Sequence, residues 1–228
     1  MTVLRRTLHA LLDLVYPPRC AACSEPAAAG PFCEVCAGAV DPVPPGCARC
    51  GLPGPHPTCG ACLADPPAFA SIRAAALFGG PVADAVHALK YGNRPALARP
   101  LGTWLASRTG VPAGTTVVAV PLSRGRRVAR GYDQAALLAD ALARTSGAPR
   151  LRAALRRTRE TPPQVGRTRD ERARNVRDAF AASHAARGLD LLLVDDVVTT
   201  GATARAAAEA LARAGARSVT VVALARAE

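Results

Sequence analysis

Two carboxylates stand side by side, Asp195 and Asp196, in the stretch "LLLVDDVVTTGAT" at 191–203. A short apolar run leads into them, and Val197, Val198 and a small, hydroxyl-rich turn follow. An apolar run of this kind is a buried strand, and ligands of open parallel sheets bind beyond the carboxyl ends of strands. Small residues after such a strand let backbone N–H groups converge at the start of the next helix, where the helix dipole also favours an anion. Thr199, Thr200, Gly201, Ala202 and Thr203 therefore read as a cradle for a phosphate, with the threonines adding hydroxyl donors. The aspartates suit sugar hydroxyls or a divalent cation just above it. The bland alternative for "DD" alone is a solvated strand end, but with "TTGAT" attached the stretch reads as a ribose-phosphate clamp. It is not a Walker loop, because no Gly-Lys-Ser/Thr follows.

A second chemistry is written in the cysteines. All eight lie between 20 and 62, as four C-x2-C pairs separated by nine, ten and eight residues. Such turns aim two thiolates at one point, and two turns make a tetrahedral cage for zinc. Short gaps favour neighbours pairing in order. One Zn²⁺ site is then Cys20, Cys23, Cys33 and Cys36, and the other is Cys47, Cys50, Cys59 and Cys62; the spacing leaves a crossed pairing open. No open coordination position is implied, so both ions are expected to be structural. The competing reading is a disulfide framework, which needs an oxidising compartment that the sequence does not announce.

Charge narrows the partners. The net charge is +12, and it is uneven. Residues 1–65 carry four Arg against five acids, whereas 124–177 carry 15 Arg against five. Such a field favours polyanions, against the alternative of a merely solvated Arg-rich surface. Lys90 is the only lysine beside 28 arginines, which suggests a position where a compact point charge is needed. Tyr91, Trp104 and Tyr132 read as packing residues. No apolar run approaches a membrane span. Leu4, Leu8, Leu11, Leu12 and Val15 fall on one face of an amphipathic helix instead of a signal core, and the chain is expected to be cytoplasmic.

The elements that must position these groups follow from the pattern. "SIRAAALF", "TTVVAVPL", "DLLLVDD" and "RSVTVVALA" read as strands. "PVADAVHALKYG", "PALARPLGTWLASR" (with a kink at Pro100), "DQAALLADALAR" and "ATARAAAEALARAG" read as helices, and "RAALRRTR" is ambiguous. Strands alternating with helices predict an α/β fold, a mostly parallel sheet with flanking helices. Pro-rich joints set off a small Cys-rich module at 1–66 from the main domain at 67–228.

"LLLVDDVVTTGAT" closely resembles the phosphoribosyl-diphosphate signature of type I phosphoribosyltransferases. With "LKYGNRPALARPLG", "VPLSRGRRVARGYDQAALLADALA" and "LRRTRETPPQVGRTRDERARNVRDAF", the chain resembles the ComF family of competence-associated proteins. That family joins a double zinc ribbon to a type I phosphoribosyltransferase domain. The resemblance implies phosphoribosyl diphosphate (PRPP) with Mg²⁺ as ligand and a place in nucleoside metabolism. By family position, Asp195 and Asp196 are the catalytic pair holding the ribose hydroxyls or the metal. Thr199, Thr200, Gly201, Ala202 and Thr203 surround the 5′-phosphate. The Arg-rich turn at 124–132, with Arg130 among its residues, faces the diphosphate, and Lys90 lies near the substrate. Residues 160–175 correspond to a loop that closes over the site. The purine-salvage branch has an Asp where this chain has Thr199, which argues against a purine acceptor. The resemblance also leaves a second, non-catalytic role open: an adaptor for single-stranded DNA and the competence helicase machinery in natural transformation, with PRPP as regulator.

Overall fold

The computed structural model describes residues 18–158 and 179–227. The expected helix at 4–15 and the expected loop at 160–175 lie outside them. Four strands form one parallel sheet: β1 (Ser71–Leu77), β2 (Thr116–Ala119), and the two longer strands Asp190–Val198 and Ser218–Arg226. Between β2 and these lies a small antiparallel pair, β3 (Leu155–Arg157) and β4 (Phe180–Ala182), so the long strands are β5 and β6. The order across the sheet is β1-β6-β5-β2. The ambiguous "RAALRRTR" thus supplies β3.

The helices follow the sequence signals with two exceptions. α1 (Glu34–Gly38) and α2 (Gly60–Ala64) are single turns inside the Cys-rich segment. α3 (Gly80–Tyr91) starts with proline in its first turn, and α4 (Ala98–Thr109) follows a 3-10 turn at Pro95–Leu97. Pro100 does not kink a continuous helix as expected. It sits in the first turn of α4, where its missing N–H has no intrahelical acceptor to lose. The Arg-rich turn is helical too: α5 (Arg124–Arg130) is capped by Ser123, whose side chain accepts from the Arg126 N–H, and stops at Gly131 with φ 76°. α6 (Gln134–Ser146) is capped by Asp133, and α7 (Ala202–Arg213) follows β5.

Both faces of the sheet are covered. Leu191, Leu193, Val219 and Val221 pack with Ala204, Ala207 and Leu211 of α7. Leu192, Val194, Val222 and Leu224 pack on the other face with α3, α4 and α6, through Leu89, Leu101, Leu105, Leu138 and Leu142. The helix after β5 therefore lies on one face and the helix after β2 on the other. The crevice between β2 and β5 is the switch point at which such sheets bind ligands.

The Cys-rich segment belongs to both cores. Cys20 and Phe32 join the α3/α4/α6 face, with Phe32 meeting Trp104 edge-on at 5.4 Å, while Cys47, Cys50 and Cys62 join the α7 face. It also closes the outer edge of β1, where Ile72 N–H donates to the Arg49 carbonyl and Leu77 N–H to that of Asp41. Gly51 makes the close approach possible: its φ is +67°, and a Cβ there would lie 2.8 Å from the Ile72 carbonyl oxygen.

Gly102 plays the same part between α4 and α6, since a Cβ there would stand 2.6 Å from Ala141 Cβ and 2.8 Å from the Leu138 oxygen. Gly102→Ala is expected to destabilise the fold by about 1–3 kcal/mol, despite gaining up to about 1 kcal/mol in helix propensity. Urea unfolding checks this, and a midpoint at or above wild type would contradict the packing account.

Candidate functional site

The last bond between β2 and β5 is Val120 N–H to the Val194 carbonyl at 2.9 Å. Beyond it the chains part: β2 leads through Pro121 and Leu122 into α5, while β5 continues beside β6 alone, Asp195 opposite Ala223. Strand alternation sends the two carboxylates to opposite faces. Asp196 turns toward α3 and α6. Its Oδ1 is 2.8 Å from Lys90 Nζ, at the end of α3, and its Oδ2 accepts from Gln134 Nε2 at 2.6 Å. Asp195 Oδ1 accepts the Asp196 backbone N–H at 2.8 Å. Burial, reinforced by the neighbouring Asp196 charge, pushes the Asp195 carboxyl up to about 7.

These groups wall a cavity of about 260 Å³ whose opposite side is α5, through Arg126 and Arg130, with Arg157 of β3 between. Thr199 and Thr203 close its lower end and also frame, with Thr200, Gly201, Ala202 and Asp195, an adjoining niche of about 20 Å³. Gly201, with φ 77°, turns the chain into α7, and Ala202 N–H reaches Thr200 Oγ1 at 3.4 Å. Lys90, Arg130, Asp195, Asp196, Thr199 and Thr203, separated by as much as half the sequence, thus meet in one cavity, with Thr200, Gly201 and Ala202 in its annex.

One alternative falls and one expectation changes. Asp196 is not the solvated strand end that "DD" alone allows: it is 6% exposed, because strand alternation points it at the α3/α6 core, where Lys90 pairs with it and Gln134 donates to it. Tyr91 is not a packing residue: it is 73% exposed at the cavity rim, with the Arg130 guanidinium 4.9 Å from its ring centre. Trp104 packs as expected, and the Tyr132 hydroxyl donates to the Leu89 carbonyl. Gln134, Arg126 and Arg157 were not singled out in the sequence. The one local signal was a glutamine immediately after the Asp133 cap, at a helix start that leads into the core.

Two buried polar atoms on the cavity wall, Gln134 Oε1 and Arg130 Nη1, have no hydrogen-bond partner among the described residues. Buried polar groups are almost always satisfied, so their orphaning marks a cavity suited to a polar ligand. Hard carboxylate oxygens at its centre and a guanidinium-rich wall suit a divalent cation held with a phosphorylated molecule.

The cysteines form two sets in chain order, Cys20, Cys23, Cys33, Cys36 and Cys47, Cys50, Cys59, Cys62, each with its ligand atoms within 4.8 Å of one another. Crossed pairing is thereby removed. A zinc ion with bonds of about 2.3 Å holds its sulfurs about 3.8 Å apart; Cys23 and Cys33 lie at 3.6 Å, Cys50 and Cys59 at 3.7 Å. Burial raises the thiols of Cys20 and Cys47, but backbone N–H groups outweigh it and bring both down to about 6. Two four-cysteine sets with this geometry are consistent with structural zinc.

A parallel sheet with its helices on both faces, a switch-point cavity ending in the Thr199–Thr203 turn, and two four-cysteine knuckles define a phosphoribosyltransferase-fold protein with a double zinc ribbon. Sequence models of a double zinc ribbon domain and of a phosphoribosyl transferase domain match residues 11–64 and 87–228. The chain is 35% identical over 224 residues to the DNA utilization protein YhgH of Salmonella typhi, covering 93% of this chain and 99% of that one. It is 30% identical over 195 residues to competence protein F of Haemophilus influenzae, covering 80% and 85%. Among solved structures, the glutamine PRPP amidotransferase of B. subtilis is similar at a TM-score of 0.41 and 24% identity, over 62% of this chain and 27% of that one. The chain belongs to the ComF family of competence and DNA-utilization proteins.

Proposed function

We propose that the chain binds PRPP with Mg²⁺ in the β2/β5 cavity and transfers, or senses, the phosphoribosyl group. The carrying observation is the pair of orphaned polar atoms, Gln134 Oε1 and Arg130 Nη1, on residues that line one cavity with Asp195 and Asp196. The Thr199–Thr203 turn takes the 5′-phosphate, Asp195 the ribose hydroxyls or the cation, and Arg126 and Arg130 the diphosphate. Lys90 and Gln134 fix Asp196 in place. Bound Mg²⁺ would neutralise the diphosphate as it departs. Cleavage at the anomeric carbon builds positive charge on the sugar ring, which a neighbouring carboxylate would stabilise. Asp195, its carboxyl pushed up to about 7 by burial and the Asp196 charge, is the cavity group poised to take a proton from an acceptor. The segment 1–66, loaded with two zinc ions, is the scaffold, and 67–228 holds the chemistry, in the cytoplasm.

Calorimetric titration with Mg-PRPP tests the binding, and exchange of labelled diphosphate into PRPP tests the chemistry. Binding without exchange favours a second reading, supported by the relatives' names: a non-catalytic adaptor for single-stranded DNA and the competence helicase machinery, for which PRPP is a regulator. Absence of binding would sink both.

A further inference from the structure

α5 does not point all its arginines at the cavity. Arg126 and Arg130, one turn apart, line it; Arg124 and Arg127 line a second and larger cavity of about 400 Å³. This second cavity runs beside β2, the last strand of the sheet, and under the 150–157 segment. It meets the first at Pro121, Leu122 and Arg157, and opens at its far end, past Arg150 and Arg152, into a third of about 260 Å³ that adds Arg144. The second and third make one continuous trough, which borders the first.

The middle cavity carries six arginines against two aspartates. Both aspartates are committed: Asp133 accepts from the Leu122 and Ala136 N–H groups, and Asp140 from Arg150 and Arg152 at 3.0 and 2.8 Å. Arg124, Arg127 and Arg156 are exposed and have no ion pair among the described residues. Below them the floor is apolar, with Leu122, Leu151 and Leu155. Exposed guanidinium groups above an apolar floor match a ligand with repeated phosphates and flat, poorly hydrated faces.

We propose that this trough is a track for single-stranded DNA, separate from the PRPP cavity and occupied at the same time as it. The proposal rests on the nucleic-acid part of the reading above. A count of charge over 124–177 alone would not separate the two ligands. α5 is the partition: its 126/130 face serves one ligand and its 124/127 face the other.

The test uses the full-length, zinc-loaded chain and a fluorescent dT30 oligonucleotide followed by anisotropy. Saturating Mg-PRPP is expected to leave the DNA affinity within twofold. The triple substitution Arg124→Gln, Arg127→Gln, Arg156→Gln is expected to weaken DNA at least tenfold and to lower the salt slope by about 2, as three lost phosphate contacts on a single strand require. Calorimetric Mg-PRPP binding by that variant should match wild type. Displacement of DNA by PRPP, or undiminished DNA affinity in the triple variant, would overturn the proposal, as would tighter binding of a duplex of equal length. A chain that binds Mg-PRPP but no DNA defeats the track alone, whereas one that binds DNA through the trough but no Mg-PRPP defeats the phosphoribosyl reading alone.

Discussion

Stripping zinc from the chain is expected to unfold the sheet and not merely the knuckles. Cys20 sits in the core of the α3/α4/α6 face, and Cys47, Cys50 and Cys62 in that of the α7 face, so neither core is complete without its knuckle. Arg226, at the end of β6, donates to the Cys50 carbonyl, and Arg205 of α7 holds Asp65 at 3.0 Å just past Cys62. The knuckles also occupy the β1 edge. Structural zinc contributes roughly 10–16 kcal/mol in isolated finger peptides, as much as the whole stability of an ordinary domain. Thermal unfolding followed by circular dichroism, with and without a strong chelator, should show the β-sheet signal lost at a temperature lower by ten degrees or more. Cys47→Ser and Cys20→Ser should each reproduce much of the shift. A sheet that melts at an unchanged temperature after complete metal removal would show that the segment is an independent appendage.

Removing the Asp196 carboxylate should damage folding and binding together. Asp196→Ala leaves Lys90, whose side chain is only 17% exposed, and the Gln134 amide without their acceptor. Breaking a buried pair from one side costs about 3–5 kcal/mol, whereas replacing both partners with apolar groups is often neutral. Lys90→Met with Asp196→Leu is therefore expected to recover most of the stability while Mg-PRPP binding stays lost. Denaturant midpoints read the first effect and calorimetry the second. A single Asp196→Ala variant within about 1 kcal/mol of wild type would mean that the pair is idle. Asp195 behaves differently. Its carboxyl titrates near 3.8 in a solvated chain and near 7 in the fold, so between those values the folded state holds a proton that the unfolded state has released. Its contribution to stability falls as pH rises through that window and levels off above it. The melting temperature of Asp195→Asn minus that of wild type should accordingly grow between pH 5 and pH 7.

Much of this architecture was legible because it was locally encoded. The apolar runs of β2, β5 and β6, the helix "DQAALLADALAR" and the four C-x2-C turns each announce themselves within a dozen residues. The Thr199–Thr203 turn could be placed because its strand and helix flank it directly. Other features depend on which distant elements meet. Asp196 looked like a surface carboxylate until α3 delivered Lys90 and α6 delivered Gln134 to its face. Tyr91 looked like core because it ends an amphipathic helix, but the cavity leaves its ring at the rim. The arginines of 124–130 read as one patch, since a count of charge carries no direction; only a helix, with 126/130 and 124/127 on different faces, divides them. The knuckles read as a separate module because proline-rich joints mark boundaries in sequence without showing that the segment folds back against both faces of the sheet.

The strand order β1-β6-β5-β2 sets a timetable for synthesis. Among the described residues, β1 precedes the other strands of the sheet, yet its one partner within that sheet is β6, which follows them all. Until β6 emerges, β1 has a row of unsatisfied backbone groups along the side that β6 will occupy, the kind of edge that recruits stray strands. The knuckles precede β1, can close around metal from local sequence alone, and cover its other side through Arg49 and Asp41. A nascent chain short of metal would expose both sides at once until β6 is made. Zinc supply should therefore govern how much of this protein escapes aggregation at birth, before it governs how stable the finished molecule is.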